Sequence, residues 1–395
     1  MKKNAFTTVP ERFLKPYEIP RAKLDSAITK ALDKLERNLP KLGSGFYGSC
    51  NAEYRYQEVA NKSWVSGMNT GVYWLAYELS GNPKFKEVAE RMLPSYQYRW
   101  EEKIGFDDHD VGFVYTPSCV AAYRNFGHTE LKKLLLDAVD YYYHTGYTKE
   151  GGFILRIWKS KDNESGCRTM MDTLMNAPFL FWAGKETGKQ EYIDAALSQN
   201  RLTAELLIRE DGSSFHHYQF EPGTYKPVRG LTLQGHSDDS CWSRGHAWGI
   251  YGFPIAYSYV KEDYLVDIHK DITYFMLNHL PEDLIPYWDF DFTSGDQPRD
   301  SSAGVISVCG LHEMAKLLPD HSPEKQIYQS AAAQILDATI DICAGDPGYD
   351  YDGLICHTTA GYPQNVGIDS CVVYGDYFYL ESLMRFTNPD WVKYW

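Results

Sequence analysis

Hydrophobic residues recur along most of this chain at helical spacing, and the pattern itself repeats. An almost wholly apolar stretch is followed by a short polar turn and then by a stretch with its charges on one side. Six segments follow this plan: 71–93, 116–143, 176–202, 246–276, 304–336 and, incompletely, 375–386. In each, the apolar stretch predicts a buried helix and the amphipathic stretch a helix on the outside. The sixth unit lacks its second helix, which the amphipathic segment at 21–39 supplies if the chain closes on itself. The expected fold is therefore all-α: an (α/α)6 barrel, or six-hairpin toroid, forming a single catalytic domain over 1–395 with an N-terminal extension at 1–20. Extended structure is confined to short pieces, GGFILRIW (151–158) and SSFHHYQFEP (213–222), the second read as a hairpin in a long connection.

The repeat supplies a register. Pro117 precedes Gly127 by ten residues and Pro178 precedes Gly188 by ten, with each proline expected in the first turns of a helix and each glycine after its end. In that alignment Asp110 lies seven residues before its proline and Asp172 six before its own. The two carboxylates thus fall at matching positions, at the same end of adjacent inner helices. Other polar and aromatic clusters also stand just ahead of inner helices: Trp64 to Asn69, His109-Asp110, Gln234 to Arg244, Arg299-Asp300 and Ile368-Asp369. Helix caps alone would draw on Ser, Thr, Asn and Asp. Repeated Trp, Arg and Gln read instead as the mouth of an active site on one rim.

Asp172 sits in TMMDTLMNAPFLFWAG (169–184), with apolar neighbours and no adjacent cation. Two readings are open on that segment alone. It is a helix cap or hydrogen-bonded core residue, or it is an acid whose pKa is raised by burial so that it can donate a proton near neutral pH. A nearby Asp110 would raise it further and couple the two titrations. The stretch QGHSDDSCWSRGHAWG (234–249) is the densest polar-aromatic cluster, with Trp242 and Trp248 suited to stack on a sugar ring and Gln234 and Arg244 suited to hydroxyls and a carboxylate. Its alternative is a structural loop in which Arg244 pairs with Asp238 or Asp239. His216-His217 lacks a third ligand at metal spacing, so a hydrogen-bonding histidine is expected and no metal.

Composition narrows the partners. A net charge of −14 with no cluster of Lys and Arg argues against nucleic acid and anionic membranes, and the 15% aromatic content suits small sugar-like ligands as well as helix packing. The eight cysteines are scattered without a CxxC pair and read as free, mostly buried thiols of a reducing compartment. MKKNAFTTVPERFLKPYEIP lacks the apolar core of a signal peptide, and no stretch is apolar enough to span a membrane. The chain as it stands is expected to be cytoplasmic; a signal peptide removed ahead of it would make it periplasmic. No nucleotide loop or nucleophile elbow is present, and no cofactor is expected.

WVSGMNTG (64–71), HDVGF (109–113), MMDTLMNAP (170–178), REDGSSFH (209–216), QGHSDDSCWSRGHAW (234–248), RDSSAG (299–304) and GDYFYLESLMR (375–385), taken together and in order, resemble the unsaturated glucuronyl hydrolases of glycoside hydrolase family 88. The resemblance implies an (α/α)6 barrel. It also implies release of the 4,5-unsaturated uronic acid that polysaccharide lyases leave at the non-reducing end of glycosaminoglycan-type oligosaccharides. In the family mechanism the residue matching Asp172 protonates C4 and draws a proton from the water that attacks C5; the hemiketal then opens. By the same match, Asp110 is the second catalytic carboxylate, and His216, Gln234, Trp242, Arg244 and Trp248 bind the sugar. Trp64, His109 and Trp158 are further wall residues. The implied partner is a small unsaturated oligosaccharide, a disaccharide, met by a monomer or dimer.

Three departures bear on substrate choice. Met68 stands where many relatives have an aromatic, which is expected to alter stacking in the first subsite, and Leu233 stands where some have His. The stretch GYPQNV (361–366) replaces the Ser-x-x-Ser-x-Lys motif of members that prefer 6-sulfated chondroitin disaccharides, so that route to the sulfate is expected to be absent. Heparin- or heparan-type or unsulfated products are favoured accordingly. The rivals are an unsaturated rhamnogalacturonyl hydrolase of family 105 acting on pectin fragments, a sugar 2-epimerase on the same toroid, and a non-catalytic sugar-binding protein. Paired aspartates argue against the epimerase, which would need paired histidines.

Overall fold

Inner helices lose almost all their surface to neighbours, whereas outer helices bury one stripe. Ser243–Val260 is buried at nearly every position up to Ala256, while Arg21–Leu42 buries only Leu24, Ala27, Ala31, Leu35 and Leu42, at the three- and four-residue spacing of one face. The computed structural model describes residues 6–50, 53–163, 165–345, 348 and 350–395. Among these, the inner layer consists of Ser66–Ser80, 111–125, 173–187, Ser243–Val260, Ser301–Leu317 and Val373–Thr387. The outer layer consists of Pro83–Glu101, Lys132–Gly146, Gln190–Leu202, Asp263–His279, Pro323–Ile342 and Arg21–Leu42. Arg21–Leu42 lies against Val373–Thr387, and Val373–Thr387 against Ser66–Ser80, so the ring closes as the repeat predicts.

Inner helices begin earlier than their hydrophobicity indicates. The second starts at Val111 rather than 116 and the third at Thr173 rather than 176. Their first turns carry polar residues that read as loop, yet these are buried and bonded within the protein; Asn69, Asn176 and Arg244 are examples. Pro117 and Pro178 consequently follow short helical segments, and each lies, as expected, in the first turn of the element it belongs to, Thr116–Val120 and Pro178–Thr187. The backbone accommodates the missing N–H with a π-helical turn at Thr116–Val120 and a break at Ala177.

Glycines let neighbouring inner helices touch through their backbones. A Cβ on Gly67 would lie 2.1 Å from the carbonyl oxygen of Phe113, and one on Gly112 would lie 2.4 Å from that of Asn176. The helices at 66, 111 and 173 are thereby drawn together at one level.

The predicted hairpin forms, as His217–Phe220 paired antiparallel with Pro227–Leu231. A third strand, Arg168–Met170, joins it and delivers the chain to Asp172. Phe153–Ile154 pairs with Tyr147–Thr148. The described part of the 1–20 extension packs on the outer layer: Phe13 is fully buried, and the carbonyls of Arg12 and Lys15 accept bonds from Gln334 and Ser330. Its first five residues lie outside the described residues. All eight cysteines are free and buried. No helix among the described residues is long and apolar enough to cross a membrane.

Candidate active site

The N-terminal ends of the inner helices surround a cavity of about 510 Å³. Trp64, His109, Asp110, Asp172, His216, Gln234, Trp242, Arg244 and Trp248 all line it. Trp158 does not. Its indole packs against Gly146 and Tyr142, and its backbone N–H donates to Asp107, so it supports the wall from behind; Arg156, two residues earlier, takes the lining position. Met68 is fully buried and does not line the cavity, so the expected change in stacking has no basis there; Trp64 instead stacks on Tyr374 at 5.2 Å.

Asp110 and Asp172 occupy the residue immediately before their helices, Val111–Tyr115 and Thr173–Asn176, and neither side chain makes a capping bond. The cap reading of Asp172 is thereby removed. Asp172 Oδ1 is buried with no hydrogen-bond partner among the described residues. Asn176 ties the two segments: its Nδ2 donates to Asp110 Oδ1 (3.4 Å) and to the Asp172 carbonyl (3.1 Å), while its Oδ1 accepts the N–H of Phe113 (2.7 Å).

Burial drives the electrostatics. It pushes the Asp110 carboxyl up to about 7, with Asp108 and Asp172 adding to the effect and His109 and Asn176 opposing it. It likewise raises Asp172, against the attraction of His109 and Arg244. His109 behaves in the opposite sense: burial disfavours its charge, but Asp110 and Asp108 outweigh burial and lift it to about 10. Its Nδ1 is 2.5 Å from Asp108 and its Nε2 3.4 Å from Asp110. Asp108, His109 and Asp110 are the only grouping among the described residues tight enough to hold a metal ion, and in it both ring nitrogens already face carboxylates.

The opposite wall is neutral at one point and cationic at another. His216 Nδ1 faces the backbone N–H groups of Leu233 and Gln234 at 3.2 and 3.3 Å, so in the neutral ring its proton sits on Nε2, which is buried and without a partner among the described residues. Burial holds its pKa well below the usual value. Arg244 pairs neither with Asp238 nor with Asp239. Its Nη1 donates to Asp300 (2.7 Å) and to the carbonyl of Thr359, and its Nη2 to that of Ala360, both at 2.5 Å. Gln234 donates to the same Ala360 carbonyl at 2.7 Å. Arg244 thus anchors the loop whose Gly361, Gln364 and Val366 line the cavity. Its guanidinium also lies over the Trp242 ring at 4.5 Å.

Hydrophobicity and repeat register gave no signal for Arg156, Ser49 or Tyr374, which also line the cavity; they come from a bend after a short strand, a loop and a helix start. Asp108 was adjacent to a residue singled out and carried the same signal as its neighbours.

A toroid of six helical hairpins with a buried carboxylate pair at the mouth, backed by tryptophans, defines a carbohydrate-cleaving enzyme. A family profile described as Glycosyl Hydrolase Family 88 matches residues 46–291. The chain is 40% identical over 387 residues to the unsaturated chondroitin disaccharide hydrolase of Streptococcus pneumoniae, covering 98% of this chain and 97% of that one. Its structure superposes on that of the unsaturated glucuronyl hydrolase of Streptococcus agalactiae with a TM-score of 0.94, 36% identity and full coverage of both chains. A variant of the S. agalactiae enzyme complexed with dGlcA-GalNAc6S gives 0.86 at 34% identity, again with full coverage. The chain belongs to glycoside hydrolase family 88.

Proposed function

We propose that this protein releases the 4,5-unsaturated uronic acid from the non-reducing end of glycosaminoglycan disaccharides, with Asp172 as the single acid-base group. The observation that carries the reading is the Asp172 carboxyl, which does not cap its helix and whose buried Oδ1 has no hydrogen-bond partner among the described residues, beside a second non-capping carboxyl, both with pKa values raised by burial. A protonated Asp172 gives its proton to C4 of the enol ether as positive charge develops at C5. The resulting carboxylate accepts a proton from the water that adds to C5, which restores the acid. The hemiketal so formed opens to a ketone and frees the next sugar. Asp110 in its ionised form stabilises the charge at C5, and the His216 Nε2–H donates to the sugar, while Trp242 and Trp248 supply apolar faces to the ring.

The relatives named for chondroitin disaccharides support this substrate class over pectin fragments. For the second sugar, Gly361, Gln364 and Val366 present no cation, which supports weak discrimination in favour of a 6-sulfate. The test follows the ultraviolet absorbance of the C4=C5 bond in lyase-generated disaccharides. Wild-type protein should bleach it, and Asp172→Asn should be slower by about 10²–10⁴-fold. Persistent absorbance with every unsaturated disaccharide overturns the activity, and an undiminished Asn variant overturns the role. A marked preference for the 6-sulfated chondroitin disaccharide would overturn the reading of the 361–366 loop.

A further inference from the structure

We propose that Asp108 is a positioning residue for this reaction: it holds His109 as an imidazolium aimed at Asp110, and so keeps Asp110 the anionic member of the carboxylate pair and Asp172 the proton-bearing one. The inference rests on the reading of Asp172 as the acid.

The segment that carries Asp108 is fixed by its backbone. Asp108 bridges antiparallel to Ile157, the His109 N–H donates to Arg156 (3.1 Å), the Trp158 N–H donates to Asp107 (3.1 Å), and the Tyr142 hydroxyl donates to the His109 carbonyl (3.0 Å). The Asp108 and His109 side chains therefore start from clamped positions. From there Asp108 Oδ1 reaches within 2.5 Å of His109 Nδ1, and Asp110 Oδ1 stands 3.4 Å from Nε2. A neutral imidazole has one N–H and one lone pair, and would turn that lone pair onto a carboxylate. With both carboxylates ionised, only the doubly protonated ring presents an N–H and a positive charge to each, and its Nδ1–H also faces the Arg156 carbonyl at 3.3 Å.

Every charged group facing the ring enters this balance. Asp108 and Asp110 flank it on its own segment and Asp172 approaches from the helix at 173. Arg156 lies across the bridge, Arg244 belongs to Ser243–Val260, and His216 is held neutral by burial. Arg244 already faces Asp300, so the carboxylates dominate at His109. At Asp110 the attraction of the His109 ring, 3.4 Å away, exceeds the repulsion of Asp108. Removal of the Asp108 charge thus acts in two opposed ways on Asp110. Loss of direct repulsion lowers its pKa, whereas a less fully charged ring, held then by Asp110 and Asp172 without Asp108, raises it, and the second effect is expected to be the larger.

Asp108 is not a scaffold residue. Its side chain is 36% exposed and lines the cavity; the segment is held by main-chain bonds, and the bond its carboxylate accepts from the Asp110 backbone N–H is one that the amide oxygen of an asparagine can also accept.

The experiment compares wild type, Asp108→Asn and Asp108→Glu with an unsaturated chondroitin disaccharide, recording kcat/KM against pH. In parallel, the His109 ring is titrated by NMR in the free protein and assigned by its loss in His109→Gln. In Asp108→Asn the His109 titration should move down and the acid limb of kcat/KM should move up by about one pH unit. That shift is a loss of roughly tenfold below the limb, with convergence toward wild type above it. Asp108→Glu should restore both. An unmoved His109 titration, an acid limb that stays or moves down, or an equal loss at every pH overturns the proposal. If wild type turns over no unsaturated disaccharide, the proposed function fails instead, and the His109 titration alone decides whether Asp108 holds the imidazolium.

Discussion

Asp172 shows what a catalytic carboxyl costs the fold. Its pKa is raised by burial, so the folded state holds its proton more tightly than the unfolded chain does. The sign of the linkage follows: stability is greatest below the unfolded carboxyl value, about 3.9, and falls as pH rises toward the folded value. Asparagine has nearly the same shape and no charge to bury. Asp172→Asn should therefore raise the melting temperature at neutral pH, and the gain should shrink as pH falls toward 4; thermal unfolding at several pH values measures it. A variant with no thermal gain at pH 7 would mean that the carboxyl is better solvated than its surroundings indicate. Inactivation joined to stabilisation separates a working acid from a structural one.

The helical hairpins set the distance between the two carboxyls. Asp110 and Asp172 each precede an inner helix, and these helices meet where Gly112 lies on the backbone of Asn176. A methyl group at Gly112 would approach that backbone to 2.4 Å, and backbone cannot swing aside as a side chain can. Gly112→Ala should separate the hairpins, lengthen the Asn176 bond to Asp110 and lower kcat by one to two orders of magnitude, about the cost of a small misplacement of reacting groups. Steady-state kinetics beside a circular dichroism spectrum tests this; full activity in the folded variant would show that the contact is slack.

The same elements show what was legible in the sequence. Helix count, ring closure through 21–39 and the matching positions of Asp110 and Asp172 follow from periodicity and proline-glycine register, because one face of each outer helix and all faces of each inner one are apolar. The early helix starts were not legible, since Asn69, Asn176 and Arg244 are polar residues buried by partners distant in sequence. Nor was the commitment of Arg244 to Asp300, 56 positions away. Trp158 was expected in the wall only from the family resemblance, and its indole is turned to Gly146.

At the scale of the whole molecule, the cavity has a floor built from several hairpins. Phe113 touches Trp64 and Trp248 on the cavity side and meets Trp395 edge-on at 6.1 Å beneath them. Trp395 is 1% exposed, stacks on Phe378, and donates from Nε1 to Glu381, which also holds Arg385 and Tyr251. Trp395→Ala would open a void under the sugar-binding rings and free a lone pair of a buried carboxylate. A loss of about 3–5 kcal/mol of stability is expected, with a rise in KM for the disaccharide. Denaturant unfolding and substrate titration together check this, and an unchanged unfolding midpoint would show that the indole is not needed to fill the ring.

Ring closure by Arg21–Leu42 against Val373–Thr387 has a consequence for biosynthesis. Arg21–Leu42 waits for its neighbour until the five hairpins that separate the two in sequence have been synthesised. Until then the nascent hairpins form an open arc, with apolar flanks at both ends that only each other can cover. Such long-range closure slows folding and leaves the arc exposed to aggregation. Val373–Thr387 is therefore the helix whose delay, by a stalled ribosome or a premature stop, is most damaging to yield.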